Sequence, residues 1–140
     1  MYDLERFLGT AHRWVGLGAF VLFLTTGLIM RHQHLYLLPL DSGLRLLFRS
    51  RHIYLLFGAL LNVAVSLHYS LPPSHGRRGT TVAGSMLVLA SPFLLALAFF
   101  REPVGSGQVG PLSGLGVLLA VLGIACLVVG AMAAYKGPDI

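Results

Sequence analysis

Charged side chains are scarce in this sequence, and acidic ones are the scarcest. Asp and Glu together number 5, Lys and Arg 10, so 11% of the 140 residues are charged against 56% apolar. Soluble domains carry about 25% charged residues. Because so little polar surface cannot cover a water-soluble core, we expect the chain to fold in a lipid bilayer as an integral membrane protein.

Other absences exclude classes of site. The single cysteine, Cys126, excludes a disulfide within the chain and an all-cysteine metal site. No charged residue lies deep in the apolar segments, so the usual parts of a proton relay, an ion-coupled transporter or a voltage sensor are missing. No glycine-rich phosphate loop and no Ser, His and Asp set suited to hydrolysis is present, which disfavours phosphoryl transfer and hydrolysis.

Four stretches contain no charged residue, and each is long enough to cross about 30 Å of hydrocarbon, which takes about 20 residues. They run from Trp14 to Met30, Ile53 to His75, Gly79 to Phe100 and Pro103 to Tyr135. We therefore predict an all-α, integral membrane four-helix bundle of two antiparallel transmembrane hairpins. It forms a single membrane domain over residues 1–140, with spans at about 7–30, 52–71, 80–100 and 112–135. The chain starts without the basic region of a signal peptide, so we expect the first span to be retained.

Residues 31–51 are predicted to be a polar connection that contains a short interfacial helix. Asp41 is placed to cap this helix. Within Gly43 to Ser50 the apolar and basic side chains fall on separate faces, as in a helix lying on a membrane surface. The apolar face holds Leu44, Leu47 and Phe48, and the basic face holds Arg45 and Arg49.

Four crossings place both termini on the same side, and we expect the membrane to be a bacterial inner membrane. The rule that basic residues face the cytoplasm does not decide the orientation, because each side carries five. One side has Arg6, Arg13, Arg77, Arg78 and Lys136, and the other Arg31, Arg45, Arg49, Arg51 and Arg101. The net charge of +5 is spread over segment ends, which indicates contact with lipid headgroups and no nucleic-acid partner.

Two residues inside the spans affect how the helices associate. Pro92 removes a backbone donor and should kink the third helix, so the freed carbonyl near Val88 needs a partner from a neighbouring helix or from Ser91. Asn62 is the only side-chain amide in the four spans, and we expect it to face another helix in a structural role.

The fourth helix carries a seam of small residues. Gly116, Gly123, Gly130 and Gly137 recur every seven residues, with Ala120 and Ala134 among the residues between them. Such a seam lets two helix backbones approach closely. Two alternatives stay open: a homodimer or larger-complex interface through Gly116, Gly123 and Gly130, or packing against another helix of the same chain.

Histidine is the residue type that could carry chemistry. In an antiparallel hairpin, His12 at the start of the first span and His68 at the end of the second lie at one membrane edge, whereas His32, His34 and His52 lie at the other. Two neutral imidazoles that face each other from adjacent helices can ligate a haem iron. We predict haem b held by His12 and His68.

The neighbours of this pair are compatible with a flat cofactor. Gly16 and Ala19 lie within about 40° of the direction of His12, and Ala64 lies about 40° from that of His68, which would leave room for a macrocycle. Basic side chains at the same edge are placed to meet the haem propionates; these are Arg13, Arg77 and Arg78. The alternative is that both histidines are ordinary interfacial or hydrogen-bonded residues.

A metal site at the far edge is a further alternative. His52 and His68 are sixteen residues apart and point about 160° away from each other, so they cannot face the same partner helix. His32 and His34 share a face in an extended segment, and with His52 they could hold zinc or copper.

The general shape resembles small bacterial four-helix membrane cytochromes, without a motif that transfers residues by position. The leading hypothesis is a small b-type cytochrome that passes electrons from a quinol or similar donor to an acceptor near one membrane surface. The rival hypothesis is a cofactor-free accessory or assembly subunit of a larger membrane complex, which packs through the seam of the fourth helix or through the basic loop.

Overall fold

The computed structural model describes residues 2–32, 42–72, 75–102 and 110–135. This part of the chain contains four helices: α1 (Tyr2–His32), α2 (Ser42–His68), α3 (His75–Arg101) and α4 (Pro111–Tyr135). All four are long and apolar enough to cross a membrane. The predicted all-helical chain with four potential membrane spans is therefore confirmed at this level.

The surface of these helices is apolar, as a lipid environment requires. Val21, Phe93 and Val129 are all at least 60% exposed, although water would strongly disfavour such exposure of large apolar side chains. The buried core is small by comparison and is centred on Leu55 and Leu95. The exposed apolar surface is thus consistent with helices that cross a membrane.

The segment predicted as a separate interfacial helix is instead the first part of α2, which runs without a break from Ser42 to His68. No proline interrupts this sequence, and the Ser50 hydroxyl at the expected junction donates to the carbonyl of Leu46 within the helix, at 2.9 Å. A pattern of separate apolar and basic faces suits the surface end of a continuous helix as well as an independent one. Asp41, with its predicted cap, lies outside the described residues.

The main contacts between helices are those of α1 with α2, α3 with α4, and α2 with α3; α1 with α3 and α2 with α4 make smaller ones. Along α1 and α2 the contacting residues run in opposite chain order: His12 with Asn62, Gly16 with Ala59, and Gly27 with His52. Both α2 and α3 thus contact each of the other three helices.

The small-residue seam of α4 packs against α3. A Cβ on Gly123 would lie 2.8 Å from the carbonyl oxygen of Gly84 and 2.9 Å from the amide nitrogen of Val88, so neither glycine of this pair can carry a side chain without moving a backbone. Gly116 and Gly130 face α3 too, beside Leu95 and Thr81. Of the two alternatives open for this seam, the structure shows packing within the same chain.

Candidate functional site

The imidazole of His12 is the most enclosed polar group of the first helix. It is 0% exposed. Its Nδ1 lies 2.7 Å from Oδ1 of Asn62 on α2, and its Nε2 lies 2.7 Å from Oγ of Ser85 on α3. The amide oxygen of Asn62 can only accept, so the Nδ1 atom carries the proton and the Ser85 hydroxyl donates to Nε2 of the neutral ring. A single side chain thus joins three helices.

Asn62 completes this network on the other side. Its Nδ2 donates to the carbonyl of Gly58 in its own helix at 2.9 Å and to the carbonyl of Val88 on α3 at 3.1 Å. The carbonyl of Val88 is the one that loses its helical donor because Pro92 has no N–H. The predictions that Asn62 faces another helix and that a neighbour satisfies this carbonyl are both confirmed. The Ser91 hydroxyl is buried without a hydrogen-bond partner in the described part of the chain.

Tyr69, directly after the end of α2, packs beside this network. Its ring lies 5.6 Å from that of His12, tilted by 40°. The hydroxyl is buried near Ser85 but makes no hydrogen bond of ordinary geometry within the described residues. Burial raises the pKa of Tyr69, the approach of Ser85 lowers it by less, and the negative charge of Glu5 raises it further. The hydroxyl therefore stays protonated and is a donor with unused capacity.

The residues predicted for haem are not brought together as that site requires. His12 uses both ring nitrogens in hydrogen bonds. His68 is exposed, lies 3.3 Å through Nδ1 from the carbonyl of Ala64, and lines an apolar groove between α2 and α4. Beside Gly16 there is no space for a macrocycle, because a Cβ there would already lie 2.9 Å from the backbone nitrogen of Val63. This arrangement does not fit a haem between the two histidines, and haem binding stays a prediction.

The predicted basic partners and the small residue Ala19 are placed as follows. Arg13 and Arg77 are exposed and Arg78 is partly exposed, as expected for residues at a membrane edge. Ala19 is buried.

The three histidines predicted for a metal site at the far edge are not brought together among the described residues. His32 is exposed at the end of α1, and His34 lies outside the described residues. His52 stacks on Phe23 with ring centroids 4.2 Å apart, and its Nδ1 lies 3.1 Å from the Thr26 hydroxyl. Within residues 2–32, 42–72, 75–102 and 110–135, no group of three His, Cys, Asp or Glu is placed to hold a metal ion.

A buried ion pair at the far edge was not predicted from the sequence. Arg51 on α2 and Glu102 just after α3 are 3% and 4% exposed at their side chains, with Nε of Arg51 3.4 Å from Oε2 of Glu102. Nη1 of Arg51 also donates to the backbone carbonyl of Glu102 at 2.8 Å. A sequence signal existed, since Glu102 directly follows Arg101, which was predicted to lie on the same side of the membrane as Arg51.

The Glu102 carboxylate also caps the start of α4. Its Oε1 accepts from the backbone N–H of Leu112 at 2.6 Å and of Ser113 at 3.1 Å, and Oε2 accepts from the Ser113 hydroxyl at 2.6 Å. A Cβ on Gly110 would collide with this carboxylate, which explains the glycine directly before Pro111. Burial by itself raises the pKa of Glu102, but the hydrogen bonds from Ser113 and Leu112 and the charge of Arg51 together lower it.

Comparison with known proteins supplies no relative: no family model matches the chain, and no curated protein or solved structure does either. The polar contacts of the site connect helices: His12 and Asn62 join α1, α2 and α3, and Arg51 and Glu102 join α2, α3 and α4.

Proposed function

We propose that this chain is an integral membrane protein whose helices form a bundle of two antiparallel transmembrane hairpins. Both termini then lie on one side, and the membrane we propose is a bacterial inner membrane. We propose further that it acts as a cofactor-free accessory or assembly subunit of a larger membrane complex. The observation that carries this proposal is the use of both ring nitrogens of His12 to connect helices.

Two sets of buried polar side chains support a structural role, because the members of each set bond to one another. An active group needs a lone pair or proton that a substrate or cofactor can reach. His12, Asn62 and Ser85 instead form a closed set of hydrogen bonds, and Arg51 and Glu102 form a second set at the other edge. In a bilayer such bonds hold helices in place, since lipid supplies no alternative partner.

A surface for the partner subunit lies between α1 and α3, since the seam of α4 is occupied by α3. This groove has a volume of about 360 Å³ and is lined by apolar or small residues, among them Trp14, Gly18 and Ala19 of α1 and Phe93 of α3. A Cβ on Gly18 would meet nothing within 4 Å. Exposed small residues of this kind allow a helix of another membrane protein to approach closely.

Purification in mild detergent from native membranes tests the proposal. We expect a colourless preparation whose mass exceeds that of the chain alone and of its dimer. We expect Gly18→Leu to release the chain from that complex and Gly114→Leu to leave it assembled. Neither leucine disturbs the chain itself, because the Cβ position is open at both glycines.

The same preparation tests the cytochrome hypothesis. A sharp Soret band that shifts on addition of dithionite would show a bis-histidine haem and contradict the cofactor-free proposal. His68→Ala would then remove or alter the haem, and His52→Ala would leave it unchanged. A colourless chain that migrates alone, or only as a dimer, would contradict the accessory role.

A further inference from the structure

A polar cavity lies at the edge where α1 begins and α2 ends. Its volume is about 660 Å³, and Glu5, Arg6, Thr10 and Arg13 of α1 line it together with Ser66 of α2. The grooves between α2 and α4 and between α1 and α3 are lined almost entirely by apolar atoms. This cavity, unlike those two grooves, offers charged groups to a ligand at headgroup depth.

The two arginines lie on one face of α1 with small residues between them. Arg6, Gly9, Thr10 and Arg13 are spaced i, i+3, i+4 and i+7, so they share a face, and the two arginines are about 10 Å apart along the axis. The site at Gly9 stays open, since its Cβ would come no closer than 3.9 Å to Cβ of Tyr69. Both arginines are exposed, and neither forms an ion pair or hydrogen bond within the described part of the chain.

The remaining lining groups favour an anion with several acceptor oxygens. Two positive charges face one negative charge, that of Glu5, so the cavity is positive on balance. Tyr69 also lines it, but its hydroxyl is buried, and the exposed Thr10 supplies a hydroxyl that a ligand can reach. A phosphate diester accepts hydrogen bonds from guanidinium and hydroxyl groups together.

We propose that this cavity binds the phosphate of an anionic phospholipid, with Arg6 and Arg13 on either side of it and Thr10 between them. The lipid is the source of the phosphate because the cavity lies at the end of two apolar helices, one of which begins its membrane segment within the same turns. The acyl chains then lie along the apolar surface of α1, where Trp14 and Leu17 are exposed.

Native mass spectrometry from mixed micelles tests this site. The full chain is equilibrated with equal amounts of phosphatidylglycerol and phosphatidylcholine, and the retained lipid of each kind is counted. We expect the wild-type chain to retain phosphatidylglycerol preferentially. Arg6→Gln and Arg13→Gln should each weaken its retention by about tenfold, the effect of one lost hydrogen bond to a charged group.

Two controls separate a built site from general attraction to positive charge. Arg31→Gln removes the same charge from an exposed residue at the other end of α1 and should leave retention unchanged. Glu5→Gln removes the acid from the cavity and should strengthen retention, a gain that a misfolded variant would not give. Equal losses for Arg6→Gln and Arg31→Gln, or no gain for Glu5→Gln, would overturn the proposal. Displacement of the lipid by millimolar inorganic phosphate would reassign the cavity to free phosphate.

Discussion

Glu102→Gln isolates the contribution of one buried negative charge, because glutamine keeps the size of the side chain. In the wild-type chain the carboxylate accepts three hydrogen bonds from Leu112 and Ser113 and pairs with Arg51 at 3.4 Å. With the amide oxygen at the position of Oε1, the backbone N–H groups of Leu112 and Ser113 can both still donate to it. The amide nitrogen then takes the position of Oε2, where the Ser113 hydroxyl can turn to accept but Nε of Arg51 is itself a donor. The lost ion pair with Arg51 therefore accounts for the expected loss.

The size of the expected loss in stability depends on the groups that remain around Arg51. Its side chain is 3% exposed, and its Nη2 already has no hydrogen-bond partner in the described part of the chain. After the substitution only Nη1 keeps a bond, to the backbone carbonyl of Glu102. Removing one partner of a buried pair costs about 3 to 5 kcal/mol, since the other charge stays buried and uncompensated. We expect Glu102→Gln to lower the free energy of unfolding by that amount.

Reversible unfolding in mixed detergent and SDS measures this loss, with helical circular dichroism as the signal. As a control, Arg101→Gln changes the exposed residue directly before Glu102 and should lower the free energy of unfolding by less than about 0.5 kcal/mol. Arg51→Met combined with Glu102→Gln should cost less than Glu102→Gln alone, because both charges are then removed. A loss below 1 kcal/mol for Glu102→Gln, or simple additivity in the double variant, would refute the reasoning.

The remaining predictions concern pH and helix packing. The folded-state pKa of Glu102 is lowered from its ordinary 4.5, so the contribution of its charge to stability is complete above pH 4.5 and is lost as pH falls through the lowered pKa. The difference in unfolding free energy between wild type and Glu102→Gln should therefore shrink over that range, as measured by unfolding curves at a series of pH values. Gly123→Leu should cost on the order of 1 to 3 kcal/mol by forcing α3 and α4 apart, whereas Gly114→Leu, at an open position, should leave the unfolding midpoint unchanged. Asn62→Leu should cost less in a Pro92→Ala background, where residue 92 can donate to its own helix, and additive costs in that double-mutant cycle would contradict the role of Asn62.

The spans were predictable because hydrophobic length is a property of local sequence. Asn62 and Pro92 were predictable as well, since an isolated amide and an unpaired carbonyl in lipid each require a partner. The hydrogen bond from Asn62 to the carbonyl of Val88 could not be predicted, because it depends on how α2 and α3 are placed relative to each other. The same holds for Ser85, one of several hydroxyl residues, whose contact with His12 no spacing rule indicates.

Helical periodicity does not reveal what fills the space beside a small residue. Small residues beside His12 were expected to leave room for a cofactor, but Gly16 lets the backbone of α2 approach instead. A glycine removes a side chain in either case, and only the neighbouring helix decides what occupies the space. The sequence also did not predict that α2 begins at Ser42. The pattern of Arg45 and Arg49 fits a longer helix as well as a separate one.

Two polar contacts between α2 and α3 lie at different positions along the helices. Asn62 donates to the carbonyl of Val88 in the middle of α3, Arg51 pairs with Glu102 just after the end of α3, and the two α2 residues are about 16 Å apart along the axis. In the proposed arrangement, two hairpins that insert separately and meet by diffusion in the bilayer can slide along each other at small cost where their surfaces are apolar. A slip of one helical turn, about 5.4 Å, would separate both pairs at once and leave a carbonyl and two charges without partners. Both contacts can therefore form at only one position of α2 along α3.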